Sequence, residues 1–120
     1  MANRVSFIQH KGVEILYIDW SNATAAETLT AIGEAKRIIA SRPAGSVRTL
    51  TNVQNARVDR VVTEALKEYV AHNKPFVVAG AVVGLNDLKM VIFNFVNRVT
   101  GRSLRAMETV EDARNWLASR

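Results

Sequence analysis

Phe76-Val77-Val78-Ala79-Gly80-Ala81-Val82-Val83 is apolar at every position, and its reading decides the fold. A strand with one wet face alternates apolar and polar residues. A strand that is apolar throughout is covered on both sides, as in a parallel sheet with helices above and below it. The run is too short for the ~20 residues that span a bilayer. It is therefore expected to be an inner strand of a sheet.

Downstream, Asn86 caps a helix reaching about Thr100, closed by Gly101. Leu104 to Met107 is a short last strand. Thr109-Val110-Glu111-Asp112 opens a terminal helix by a capping box with Asp in place of Glu, and Val110, Ala113, Trp116 and Leu117 face inward. Upstream, Asp59 is the N-cap of a helix reaching about Asn73, with a core face of Val62, Ala65, Leu66, Tyr69 and Val70. Before it lies a strand, Val47 to Val53. Thr24-Ala25-Ala26-Glu27 is a capping box, followed by Ala25, Leu29, Ile32 and Ile39 at helical spacing until Pro43 and Gly45 end the segment. Arg4 to His10 and Val13 to Asp19 read as a hairpin turning at Lys11-Gly12. The second of these strands is largely apolar on both faces and is expected to be covered on both sides. The order β-β-α-β-α-β-α-β-α implies an α/β fold with a mixed, mostly parallel sheet of five strands and about four helices.

The 120 residues suit a single domain spanning 1-120. There is no cysteine, so disulfides, thiolate nucleophiles and thiolate metal sites are excluded. The first ten residues lack the apolar core of a signal peptide, and a cytoplasmic location is the expectation. The formal charge is +5 and the pI about 10.1, which admits a polyanionic partner. The basic residues are dispersed, however, with no adjacent run longer than Lys36-Arg37. A solvated surface is the preferred reading, and nucleic acid is not the expected partner.

Several segments resemble the small SpoIIAA-like proteins related to STAS domains. They are Gly45-Ser46-Val47-Arg48-Thr49-Leu50-Thr51-Asn52-Val53, Ala65-Leu66-Lys67-Glu68-Tyr69 and Ala71-His72-Asn73-Lys74-Pro75-Phe76-Val77. Ala81-Val82-Val83-Gly84-Leu85 and Glu111-Asp112-Ala113-Arg114-Asn115-Trp116-Leu117 continue the resemblance, which covers essentially the whole chain. It implies a STAS-like fold and a non-enzymatic switch or binding module. In anti-anti-sigma members of that family, a Ser or Thr at the start of the helix after the third strand accepts phosphate. The corresponding segment here, Gln54-Asn55-Ala56-Arg57-Val58-Asp59, has no hydroxyl. The chain departs from the phosphoswitch pattern at its acceptor.

No catalytic constellation stands out. His10 and His72 are far apart, and no HxxxH, Gly-x-Ser-x-Gly, Walker or GxGxxG pattern occurs. No enzyme activity, cofactor or metal is therefore expected. In open α/β sheets, ligands bind outside the carboxyl ends of the strands. Those positions hold Asp19, Ser21, Asn22, Asn52, Asn55, Arg57, Gly84 and Asn86. This polar set is a candidate ligand site, with Arg57 a possible anion contact at a helix N-terminus. Turn and cap chemistry accounts for most of it equally well.

In the third helix, Leu88, Val91, Ile92, Phe95, Val96 and Val99 are spaced as an inward stripe. Met90 and Phe93 then fall outside it at ~100° per residue. They are ordinary surface, a cavity wall or an interface, and the last reading makes Met90, Phe93, Asn94 and Asn97 the contact face of a homodimer. The leading function is a non-catalytic regulatory or interaction module, with a second copy or another protein as partner. The alternative is a carrier or sensor of a small hydrophobic or anionic ligand, including a lipid.

Overall fold

The expected order of elements is the observed one. A computed structural model, describing residues 4–120, gives β1 (Val5–His10), β2 (Val13–Asp19), α1 (Ala25–Ala40), β3 (Val47–Asn52) and α2 (Arg60–Asn73). β4 (Val77–Val83), α3 (Asp87–Thr100), β5 (Arg105–Met107) and α4 (Val110–Ala118) follow. Lys11 and Gly12 have φ of 53° and 78°, the positive values that a tight two-residue hairpin turn demands at both positions. Thr24 and Glu27 close a reciprocal capping box, and Asp59, Asn86 and Thr109 each accept an amide hydrogen bond at the N-terminus of their helices.

The sheet order is β1-β2-β3-β4-β5. β1 runs antiparallel to β2, and every other pairing is parallel. A five-strand sheet ordered by sequence requires each crossover helix to lie on the same side, because right-handed crossovers all wind the same way. Accordingly α1, α2 and α3 share one face, over a core containing Leu16, Ile18, Ile39, Tyr69 and Val96. α4 covers the other face, where Ala113 and Leu117 meet Ile15, Leu50, Ala81 and Val83. β2 therefore packs on both sides, as its sequence implies.

Three details differ from the sequence reading. Val78 in β4 is 53% exposed, because β5 is short and pairs only with Ala81 to Val83. The first half of β4 is consequently uncovered along one edge. In α1 the buried positions are Thr28, Ala31, Ile32, Ala35 and Ile39, while Ala25 and Leu29 are half-buried. The third difference is the rotation of α3. Its buried residue is Val96, and the positions expected inside, Leu88, Val91 and Val99, are 69%, 65% and 50% exposed.

Candidate functional site

Local hydrogen bonding occupies much of the polar set at the carboxyl ends of the strands. Asp19 Oδ1 accepts from the Ser21 amide at 2.9 Å and the Ser21 hydroxyl at 2.5 Å, an Asx turn at the end of β2. Asn22 has φ of 57°, and its amide donates to the Gln54 carbonyl. Asn52 Oδ1 accepts from the Gln54 amide, and its Nδ2 reaches the Tyr17 hydroxyl at 3.4 Å. Asn55 also has φ of 57°. The Arg57 amide donates to the Ala23 carbonyl, and its side chain is exposed. Asn86 Oδ1 caps α3 through the Lys89 amide at 2.8 Å.

The structure brings Asn52, Asn55, Gly84 and Asn86 around one open polar hollow, with Gln54, Lys89, Glu108 and Thr109. Asp19, Ser21, Asn22 and Arg57 do not line it. The two histidines remain apart: His10 Nε2 lies 2.8 Å from Asn115 Oδ1, and His72 Nδ1 lies 3.2 Å from Asn73 Oδ1. Among the described residues no cluster of His, Asp or Glu could hold a metal.

A different site lies between the sheet and the α2–α3 pair. α3 packs against α2 and buries Val96 in the core of that face, and a cavity of about 90 Å³ lies beneath the pair. Thr49, Thr51 and Val53 form its floor with Val82, while Val62, Leu66 and Tyr69 supply the α2 wall. Ile92, Phe93 and Val96 supply the α3 wall, and Trp20 and Leu85 contribute near the carboxyl ends of the strands. The lining is overwhelmingly apolar. It also includes Lys89, Asn73 and Arg102.

Gly80 is closely packed against two of the lining side chains. A Cβ there would stand 2.6 Å from Leu104 Cδ2 and 3.0 Å from Thr49 Oγ1, so no side chain fits without displacing one of them. The aromatic pair on the wall is Trp20 and Tyr69, with ring centroids 6.2 Å apart. Burial pushes the Tyr69 phenol well above its ordinary value. Trp20 Nε1 is buried without a hydrogen-bond partner among the described residues, an exception to the rule that buried donors are satisfied.

These placements correct the reading of α3. Phe93 is a cavity wall rather than an outward residue, and Met90 is half-buried. Asn94 is exposed, but Asn97 is committed inside the chain: its Nδ2 donates to the Leu104 carbonyl and its Oδ1 accepts from the Leu104 amide, both at 3.0 Å. The outward apolar residues are Leu88, Val91 and Val99. Phe95 lies beneath the cations of Lys67 and Arg98, at 5.7 Å and 5.8 Å from its ring centroid.

Sequence reasoning assigned no role at a site to Trp20, Tyr69, Lys89 or Arg102. Tyr69 reads as ordinary helix core in the sequence, and nothing in the sequence singles out Arg102. The one available signal was the placement of Trp20 directly after Asp19, at the carboxyl end of a strand.

No protein-family profile matches the sequence, and no curated protein does. Solved structures do match. An uncharacterised DUF3478-family protein with a SpoIIAA-like fold, from Shewanella loihica, superposes with a TM-score of 0.70 at 16% identity, over 94% of this chain and 91% of that one. An anti-sigma-factor antagonist (STAS) domain protein from Planctomyces limnophilus superposes with a TM-score of 0.65 at 11% identity, over 95% of this chain and 97% of that one. At these identities the likeness is one of fold, and it extends over nearly the whole chain. The architecture of this protein is the SpoIIAA-like fold shared by STAS domains.

Proposed function

We propose that this domain is a non-catalytic regulatory module whose input is a small apolar ligand held between the sheet and α2–α3. The observation that carries this reading is the apolar cavity of about 90 Å³ enclosed between the sheet, α2 and α3. Concave apolar sites with a few polar groups are the usual form of small-molecule sites. α3 buries only Val96 and exposes Leu88, Val91 and Val99, and an element with few buried apolar contacts is the one most easily displaced by a ligand. Occupancy of the cavity would then reposition α3 and alter what its outer face presents.

The segment Gln54-Asn55-Ala56-Arg57-Val58-Asp59 supports regulation without a phosphorylated hydroxyl. Stoichiometric phosphate at Thr51 or Thr63, found by mass spectrometry of protein from growing cells, would contradict that part of the proposal. A second reading, self-association through α3, is favoured by the exposure of Leu88, Val91 and Val99. Native mass spectrometry of the purified protein tests both at once. The ligand reading predicts a monomer or dimer carrying a small apolar molecule, or accepting one on addition. A protein that stays empty when offered short-chain alcohols overturns it, and a monomer at high concentration overturns the dimer.

A further inference from the structure

Arg102 differs from the cations that form ion pairs on the surface. Arg4, Lys36, Arg42, Lys67 and Arg114 each reach a glutamate within 4.0 Å, on the surface. Arg102 is half-buried, lines the apolar cavity, and has no carboxylate within that distance among the described residues. Its Nη1 donates to the Val70 carbonyl at 2.9 Å, near the C-terminal end of α2. Its Nη2 lies 3.8 Å from the position that a Gly80 Cβ would take, close over the sheet floor. A guanidinium in such a place is normally paired, because charge taken from water without a partner is costly. Burial indeed pulls the Arg102 pKa below its usual value.

The placement is constructed. Asn97 clamps both backbone groups of Leu104, and its own carbonyl accepts from the Arg102 amide at 3.1 Å. The loop leaving α3 is thereby tied down on each side of Arg102. Gly101, in the left-handed region at φ 69°, makes the reversal that allows this. Trp20, on the same cavity wall, offers a second donor without a partner.

Resting on the reading of this cavity as a ligand site, we infer that its ligand is an apolar monocarboxylate, such as a medium-chain fatty acid, whose carboxylate pairs with Arg102. The chain lies along Tyr69, Ile92, Phe93 and Val96, and because it exceeds the 90 Å³ of the cavity its entry moves α3 outward from the sheet. One guanidinium neutralises one negative charge, and its planar donors suit a carboxylate. A phosphate dianion would leave charge uncompensated in an apolar space. Lys89 does not share the headgroup, because the α3 helix between it and Arg102 is roughly 20 Å long. It stands at the other end, near the open polar hollow.

The test compares octanoate with 1-octanol at neutral pH, following the Trp20 indole N–H resonance. An apolar cavity without a usable charge prefers the alcohol, since desolvating a carboxylate costs more. The expected result is at least tenfold tighter binding of octanoate by the wild type. Arg102→Met should weaken octanoate at least tenfold while leaving octanol within about twofold. Arg102→Lys should restore part of the preference, and Lys89→Met should leave it intact. If Arg102→Met does not fold, Arg102→Lys carries the test: a preference reduced but not lost, with octanol binding unchanged, supports the inference, and an undiminished preference overturns it. Equal binding of the two ligands by the wild type overturns the carboxylate but leaves the cavity reading standing. So does a preference that survives in Arg102→Met, or one that Lys89→Met abolishes. Failure of both ligands to bind overturns this inference together with the proposed function.

Discussion

Gly84 shows how much one residue decides at the carboxyl end of β4. Its φ is +87°, and an added Cβ would stand 2.6 Å from the Gln54 amide nitrogen. Gly84→Ala therefore combines a disfavoured backbone with a clash against main chain, and a loss of about 2 kcal/mol or more is expected in urea denaturation. Tyr69 gives a second prediction. Its folded pKa is raised by burial above the ordinary 10.0, so its contribution to stability is complete below pH 10 and is lost as the pH rises toward the folded value. Above pH 10 this one group should lower stability by about 1.4 kcal/mol per pH unit. Tyr69→Phe should lack that component, as denaturation at pH 9 and pH 11 would show. Glu27 works in the opposite direction. Its pKa is lowered, chiefly by the Thr24 amide, so its support of α1 is present above pH 4.5 and fades as the pH falls below it. Thr24, Glu27, Asp59 and Asn86 were legible as caps because capping needs only local sequence. Arg102 was not, because its isolation depends on which carboxylates are absent around it, and those belong to other elements.

At the scale of elements, the strands and caps were readable and the phase of α3 was not. The helix is apolar around more than half its circumference, so i, i+3, i+4 spacing fits Leu88, Val91, Ile92, Phe95, Val96 and Val99 as well as it fits the true inner face. What selects the observed rotation is long-range: Asn97 must reach Leu104, and Ile92, Phe93 and Val96 then turn toward the cavity. Lys89 also lies on that face, which a rule based on polarity would reject. The phase has a direct test in stability. Leu88→Ser, Val91→Ser and Val99→Ser should each change unfolding free energy by no more than about 0.5 kcal/mol, as exposed substitutions do. Ile92→Ala and Val96→Ala should each cost about 1–3 kcal/mol, less than in a fully packed core because the cavity is already there. The reverse ranking would restore the rotation expected from sequence.

For the whole molecule, the alternation of apolar strands and capped helices was enough to specify a mostly parallel five-stranded sheet with an antiparallel edge. The burial of β2 on both faces was readable for the same reason. The exposure of Val78 was not, because it depends on how far β5 extends along its neighbour. The cavity was not readable either. It depends on which side chains of β3, β4, α2 and α3 the fold brings together, and that leaves no periodic signature. The candidate polar loops were legible as positions, and most of their side chains are engaged in the turns and caps that shape those loops.

The central claim is that this cavity is a ligand site and not a packing defect. Its most direct test is a titration of the wild type and of Val96→Phe, which fills the cavity, with 1-octanol, read at the Trp20 indole resonance and by thermal unfolding. The wild type should show a saturable shift and a Tm that rises with ligand concentration, as binding to the folded state requires. Val96→Phe should be folded and show neither. No saturable shift in the wild type, or an equal response in the filled variant, would contradict the account.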